Sequence, residues 1–448
     1  MRNAIVALAG ILVALALAIP AQAGYVFVDD VADGAAGTGI SDNPYRDLQA
    51  AIDAAPDGTT IIILPGRYEA QPRDFVESIA GNALEPATPV PFRAGFVVEG
   101  KSLEIVGASP GETVLVTNAG YGVYLVDCPQ VRVSNLTITG SIRDESGDAC
   151  DAAVVVRRSF AEVDHCQLRD NTQYIEENIV GVGGVFVRDG GFAHVHHNAI
   201  VNNTWDGIAL YRGASAVIHD NFIYGGRGAG IGVTWDATAQ LYRNIISGYW
   251  KGIGSFGESI VSVENCIVTD CLGWGIIATG DSRMDAVNNT VVRMGNVGFA
   301  GWSPDAQMKL VNNISFSNGW RKQWVAPRVG VWMNSRAGNY RLLNNCVWGN
   351  EEGNYLEVSD PTGTFGNISA DPLFITGKLN LPEDATPENT YFDSVPNGLF
   401  ERIGGGYCLQ ADSPCIGAGF ENYLNADATP SNLGAFGGWF APMALGAE

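Results

Sequence analysis

Positive charge is scarce in this sequence. Of 448 residues, 26 are Lys or Arg against 48 Asp or Glu, a formal net charge of −22. That balance argues against nucleic acid and an anionic membrane surface as partners, because both are polyanions gripped by basic patches. Charged residues of either sign make up only 17% of the chain, while glycine numbers 56, which suits a chain of many tight turns. Apolar runs are short everywhere except Ala4–Ile19, so no other stretch is long enough to span a bilayer. Nucleophilic-serine and phosphate-loop motifs are missing.

The one apolar run follows Arg2 and ends before Ala21-Gln22-Ala23, a small-x-small cleavage pattern. Residues 1–23 therefore read as a secretory signal peptide, and the protein is expected to be secreted, periplasmic or on the cell surface. A membrane anchor is the alternative, disfavoured by the shortness of the run. Export makes disulfides permissible. Of eight cysteines, Cys408 and Cys415 are the expected pair, closing a short terminal loop, and Cys128 with Cys150 is a second candidate. Cys166 and Cys266 read as buried free thiols.

Internal repetition dominates the rest. Cys166, Asn198, Asn221, Asn244, Cys266, Asn289, Asn313 and Asn345 follow one another in steps of 32, 23, 23, 22, 23, 24 and 32 residues. Gly184, Gly207, Gly230, Gly252, Gly275, Gly298 and Gly330 keep phase with them. A fixed period near two dozen residues is the signature of a solenoid. Within each unit the apolar residues alternate rather than recur at three and four, which predicts strands. Each coil holds three strands: A (Gly207–Arg212 in one coil), B (Ala193–His196) and C (Ala199–Val201). The asparagine between B and C points inward, where its amide needs partners. Stacked once per coil, such amides form a ladder.

These residues resemble the right-handed parallel β-helix of the pectin-lyase-like superfamily, asparagine ladder included, over roughly Phe96 to Val347. The resemblance implies an all-β solenoid of about ten coils with an N-terminal helical cap and a C-terminal cap or tail. The expected organisation is a signal peptide over 1–23, an N-terminal cap and loop over 24–94, the β-helix over 95–350, and a C-terminal cap and tail over 351–448 wrapping the last coils. Pro44–Ala55 is the candidate capping helix, and Tyr68–Arg93 reads as an irregular loop. Three insertions, Ser141–Ala152, Asp170–Gly183 and Gly319–Val329, fall between strands C and A and are expected to wall the outward face of strand A.

Adjacent coils sit about 4.8 Å apart, so equivalent positions form columns. The outward columns of strand A carry Phe186, Arg157, Arg188, Tyr211, Trp302 and Trp332, and the strand ends add Arg158, Asp189, Arg212 and Trp235. Guanidinium groups bind carboxylates and sulfates bidentately, and aromatic faces stack on sugar rings. That combination suits an acidic polysaccharide. The plainer alternative is that the arginines pair with Asp189, Glu162 and Asp170. On strand B the outward column reads Asp164, His196, His219, Tyr242, Glu264, and all five histidines lie in or beside it. They are expected to point in parallel, as a polar stack, a metal site or an acid–base group.

The resemblance implies activity on a polysaccharide but names no reaction. The paired aspartates of polygalacturonase-like hydrolases, the Asp-Pro-His-Asp motif of mannuronan epimerases and the Arg-x-Pro-x-x-Arg pattern of classical pectate lyases are all absent. The leading expectation is a lyase that performs β-elimination on a uronic-acid polymer. Arg157, Arg188 and Arg212 would neutralise the uronate, and Tyr211 would act as base or acid with its pKa lowered by neighbouring cations. Phe186, Trp235, Trp302 and Trp332 would bind sugar, and Lys251 is a second candidate base. Asp164, His196 and His219 form the second candidate cluster. The cofactor is open; Ca²⁺ held by Asp189, Asp206 and Asp236 is a candidate. A monomer is expected. The competing reading is a non-catalytic glycan-binding adhesin or envelope scaffold.

Overall fold

The computed structural model describes residues 24–31, 37–78, 89–144, 149–172, 181–322, 326–381 and 392–441. The expected signal peptide, residues 1–23, and the middles of the three insertions lie outside the described residues. No helix among the described residues is long and apolar enough to cross a membrane.

The repeats stack into three long parallel sheets, a right-handed β-helix. The A strands form a 12-stranded sheet, the B strands another of 12, and the C strands one of 11. Neighbours in each sheet are one coil apart in sequence, and the register matches the repeat: Arg157 pairs with Arg188, Arg188 with Tyr211, Tyr211 with Thr234 and Thr234 with Phe256. Between strands B and C the chain turns sharply through one residue in the left-handed region. His165, His197, Asp220, Arg243, Asn265, Asn288, Asn312 and Asn344 all have φ between 50° and 59° there. Each immediately precedes a ladder residue, and the turn aims that next side chain into the core.

The ladder follows directly. The Asn198 backbone N–H and Nδ2 both donate to Asn221 Oδ1 (3.1 and 3.0 Å), and Asn221 repeats the pattern onto Asn244 (3.2 and 3.0 Å). Asn289, Asn313 and Asn345 continue it, and it runs one coil further than the repeat suggests, to Asn367. Cys166 and Cys266 occupy their rungs as buried free thiols. A second, shorter ladder joins Asn171 to Asn203 and Asn318 to Asn350.

The interior is one continuous column of Val, Ile, Leu and Ala from Val28 to Val347. The expected N-terminal helix is present as Leu48–Ala54, capped by Asp47, whose side chain accepts from the Ala50 N–H at 2.8 Å. Its Leu48, Ala51 and Ile52 join the core of the first coils.

Two segments depart from expectation. Tyr68–Arg93 is no irregular loop: Arg73–Glu77 pairs antiparallel with Val90–Glu99 as the first strands of the A sheet. The C-terminal segment does not stay with the last coils. It runs back along the outside of the C sheet, packing Phe400, Ile403, Leu433 and Ala435 against Phe222, Ile245, Ile267 and Ile314. It reaches the early coils, where the Gly111 N–H donates to Asp393 O at 2.9 Å. Neither expected disulfide forms. Cys128 belongs to the inner core and Cys150 to a cluster on the outer side of the A sheet, so a sheet separates them. Cys415 is buried beside Cys346, and the two thiols interact.

Candidate functional site

The outward columns of the A sheet are assembled as the repeat predicts, but the early half is roofed. Phe75, Val90 and Phe92 of the hairpin, with Ala149 and Cys150 of the first insertion, cover Tyr121, Tyr124, Val155, Phe186 and Tyr211 in a second apolar cluster. Ser141–Ala152 thus packs down onto the sheet at its described ends, fixed by a buried ion pair of Arg143 with Asp151 at 2.5 Å.

Under that roof the arginines meet acids of this chain. Arg188 is 0% exposed and binds Glu77 through both terminal nitrogens, Nη1 donating to Oε2 at 2.7 Å. Tyr121 Oη and Asp189 complete its surroundings at 3.0 Å each. Asp189 also accepts from Arg157 Nε at 3.0 Å and Arg212 Nε at 2.7 Å. Arg158 pairs with Asp127 at 2.6 Å. The role of Arg157, Arg188 and Arg212 as uronate-binding cations is therefore corrected: all three are already engaged by Glu77 or Asp189, and Arg188 is shut away from solvent. Asp189, ringed by three guanidinium groups, is likewise no Ca²⁺ ligand. Asp236, the third proposed ligand, accepts from the Gly213 N–H at 2.6 Å.

Tyr211 also departs from expectation. It is 3% exposed. Burial and the nearby Asp206 carboxylate push its phenol well above the usual range, outweighing Arg212, so it stays protonated. Phe186 lies edge-on to Tyr211, 5.7 Å away, and offers no face to a sugar.

The later half of the same face is packed as well, Trp274 and Trp332 being buried with Ala326 and Val329 of the third insertion, but it carries a different set of groups. Asp206, Ala229, Lys251 and Trp274 occupy equivalent positions on successive coils, Ala229 pairing with Lys251 and Lys251 with Trp274. Lys251 is half-buried. Its ammonium stands 5.5 Å from the Phe256 ring and 5.7 Å from the Trp274 ring, with no salt bridge among the described residues. Asp206 folds back so that Oδ1 accepts from the Ala229 N–H at 2.5 Å and Oδ2 from the Tyr211 hydroxyl at 3.4 Å. That fold needs a glycine at 228, where a Cβ would lie 2.0 Å from Asp206 Oδ1. Burial raises the Asp206 pKa, against the Ala229 hydrogen bond and the Lys251 charge. Beside Asp206 lies Gly232, where a Cβ would meet nothing closer than Ala229 Cβ and Asp206 Oδ2 at 3.7 Å. The floor there has no side chain.

Beyond Lys251 the face becomes an aromatic row. Trp274 and Trp302 are 5.0 Å apart, Trp302 and Trp332 5.1 Å. Trp332 lines a cleft of about 410 Å³ with Lys322, Arg328 and Glu357. Trp302 and Trp332 thus stand where the columns place them. Trp235 turns through φ 55° and lays its ring against Gly257 of the next coil. The sequence reading named Lys251 and Asp206 only in secondary roles. The signal for them is the column they share with Trp274, immediately before the glycine that opens each A strand.

The histidine face on sheet B is as the columns predict, except that the rings converge. His196 stacks on His219 at 4.9 Å and 3°, and His219 on Tyr242 at 4.5 Å and 7°. Yet His194 Nε2 lies 2.8 Å from His219 Nε2, and His196 Nε2 lies 3.0 Å from Glu162 Oε1. Burial and the neighbouring imidazoles lower His194 to about 4. Asp164 is held below the usual carboxylate range because hydrogen bonds from His165 and Arg132 outweigh its burial.

The family described as "Right handed beta helix region" matches residues 112–252 and 183–354, together more than half of the chain. Among solved structures, a pectate lyase, Pel9A, is 14% identical, with a TM-score of 0.49, covering 92% of this chain and 96% of that one. A GH136 lacto-N-biosidase from Eubacterium ramulus is 12% identical, with a TM-score of 0.45, over 74% of this chain and 68% of that one. The periplasmic alginate epimerase AlgG is 13% identical, with a TM-score of 0.40, over 73% and 82%. No curated protein sequence matches the chain.

Proposed function

The chain belongs to the right-handed β-helix family, and from that premise we propose that it is an exported protein acting on a uronic-acid polysaccharide by β-elimination at the later half of the A face, around the half-buried Lys251. The observation that carries this reading is Lys251: a cation poised over two aromatic rings beside a side-chain-free floor, on a face whose nearby arginines are compensated by acids of the chain itself. Of the row Trp274, Trp302 and Trp332, the half-buried Trp302 is the ring that would meet a sugar, with Trp274 and Trp332 buried on either side of it.

β-Elimination needs a cation against the uronate carboxylate, an acceptor for the C5 proton and a donor for the leaving oxygen. Lys251 provides the cation. Asp206, made more basic by its raised pKa, takes the C5 proton. The electron pair forms the C4–C5 double bond, the C4–O bond breaks, and the proton passes to the leaving oxygen. Tyr211, protonated and hydrogen-bonded to Asp206, holds that carboxylate in place.

The test is to incubate the mature protein with a panel of polyuronates and follow the ultraviolet absorbance of the unsaturated product. Absorbance rising with at least one polymer is the expected result. Binding throughout the panel with no absorbance change overturns the lyase assignment and favours a glycan-binding scaffold.

A further inference from the structure

A different face carries a second site. We propose that Glu162, His194 and His196, completed by His219, bind a divalent transition-metal ion such as Zn²⁺ on the outer surface of the B sheet.

The repeat itself brings these groups together. Glu162 and His194 are register partners on adjacent coils, and His196 pairs with Asp164 behind and His219 ahead. His194 and His196 are two apart on one strand, so both face outward. One ligand atom from each of Glu162, His194 and His196 lies within 4.8 Å of the others. His219 Nε2 stands 2.8 Å from His194 Nε2, and Glu162 Oε1 3.0 Å from His196 Nε2. Ligand atoms around a tetrahedral zinc, each bound at about 2.1 Å, are separated by roughly 3.4 Å. Glu162 Oε1 lies 4.0 Å from His194 Nδ1 while His219 faces His194 Nε2, so an ion held by all four is seated by turning the His194 ring to present one nitrogen to the others.

The proton inventory points the same way. His219 Nδ1 lies 2.7 Å from Asp220 Oδ2, and Arg243 holds that aspartate from the other side at 2.5 Å. Nδ1 donates there, which leaves the Nε2 lone pair of His219 facing the cluster, oriented by a carboxylate as metal-bound imidazoles commonly are. At 2.8 Å, the two facing Nε2 atoms of His194 and His219 must share one proton, and an ion replaces it. Arg132 forms its two-toothed pair with Asp164, both bonds 2.8 Å, and stands 3.8 Å from Glu162 Oε2, which leaves Oε1 to the histidines. The side chains of His194 and Glu162 are 36% and 39% exposed, so an ion reaches the site from solvent. Three imidazoles and one carboxylate suit zinc, nickel, cobalt or copper rather than calcium or magnesium, which prefer oxygen alone. The neighbouring group of His197, His219 and Asp220 is the weaker choice, because Arg243 engages both Asp220 oxygens.

The experiment uses untagged mature protein, stripped with chelator, titrated with Zn²⁺ by calorimetry and with Co²⁺ by visible absorption. One ion per chain is expected, with the intense Co²⁺ bands of a tetrahedral nitrogen–oxygen site. Glu162→Gln and His196→Asn should each weaken Zn²⁺ binding about tenfold or more, while His165→Asn leaves it unchanged. Metal-free melting curves establish that each variant is folded, and the exposed Glu162 makes its variant the safer of the two. A parent protein that binds no Zn²⁺, or Zn²⁺ affinity unchanged in both Glu162→Gln and His196→Asn, overturns the site. Neither result bears on the Lys251 face, which lies on another sheet.

Discussion

Arg188 and Glu77 stand 111 residues apart in the chain and meet as a buried ion pair on the outer side of the A sheet. The pair joins the hairpin of Arg73–Glu77 and Val90–Glu99 to the fourth coil of the sheet it covers. Removing Glu77 leaves the buried Arg188 to Asp189, a carboxylate already shared with Arg157 and Arg212, a loss of up to about 3–5 kcal/mol. Glu77→Ala should therefore lower the denaturation midpoint sharply. The double variant Glu77→Leu with Arg188→Met should recover much of that loss, since two apolar side chains leave no charge unpaired. Urea unfolding of the three proteins checks this.

The ladder predicts a cost at every rung. Asn244 accepts from both nitrogens of Asn221 and donates to Ile218 O at 2.8 Å and Tyr242 O at 3.2 Å. Asn244→Leu keeps the volume and removes all four bonds, at roughly 1–3 kcal/mol for each buried group left without a partner. A melting temperature equal to that of the parent would show that the rung carries no load.

Asp151 sets a pH dependence. It is 1% exposed, and burial raises its pKa to about 6 in spite of Arg143. An unfolded aspartate titrates near 3.9. Between those values the folded state binds the extra proton, so the stability linked to this group is full below about pH 4 and is lost as pH rises through about 6. Two pKa units correspond to on the order of 2–3 kcal/mol. Asp151→Asn should flatten that slope. Parallel stability–pH profiles for parent and variant would contradict the assignment.

The solenoid was legible because every coil solves the same burial problem with the same residue types. Asn221, Gly230 and the alternation around Ile231 report on contacts one period away, so a period in sequence is a distance in space. The columns were legible for the same reason, and Tyr211 does follow Arg188 by one coil. What the columns could not reveal is what lies on top of them. Glu77 has no periodic relation to Arg188, and the tail that crosses Phe222 and Ile245 comes from beyond the repeats. An outward position on a strand is therefore not an exposed one, and four arginines that look like a ligand-binding stripe are each met by an acid of the same chain. Convergence of the histidines was hidden differently: strand geometry sets where Cβ atoms point, while ring nitrogens meet through rotations that the register leaves open.

The central claim is that the later half of the A face, around Lys251, is where substrate is handled. Lys251→Met tests it most directly. The variant keeps an unbranched apolar stem against Phe256 and Trp274 and removes only the charge, so the melting temperature should match that of the parent. Initial rates of unsaturated-product formation are measured on the polyuronate that the parent cleaves. The account predicts loss of turnover by about a hundredfold or more, as for removal of a positioned catalytic charge. A folded Lys251→Met protein that cleaves at the parental rate, or a parent that cleaves no polyuronate at all, contradicts it.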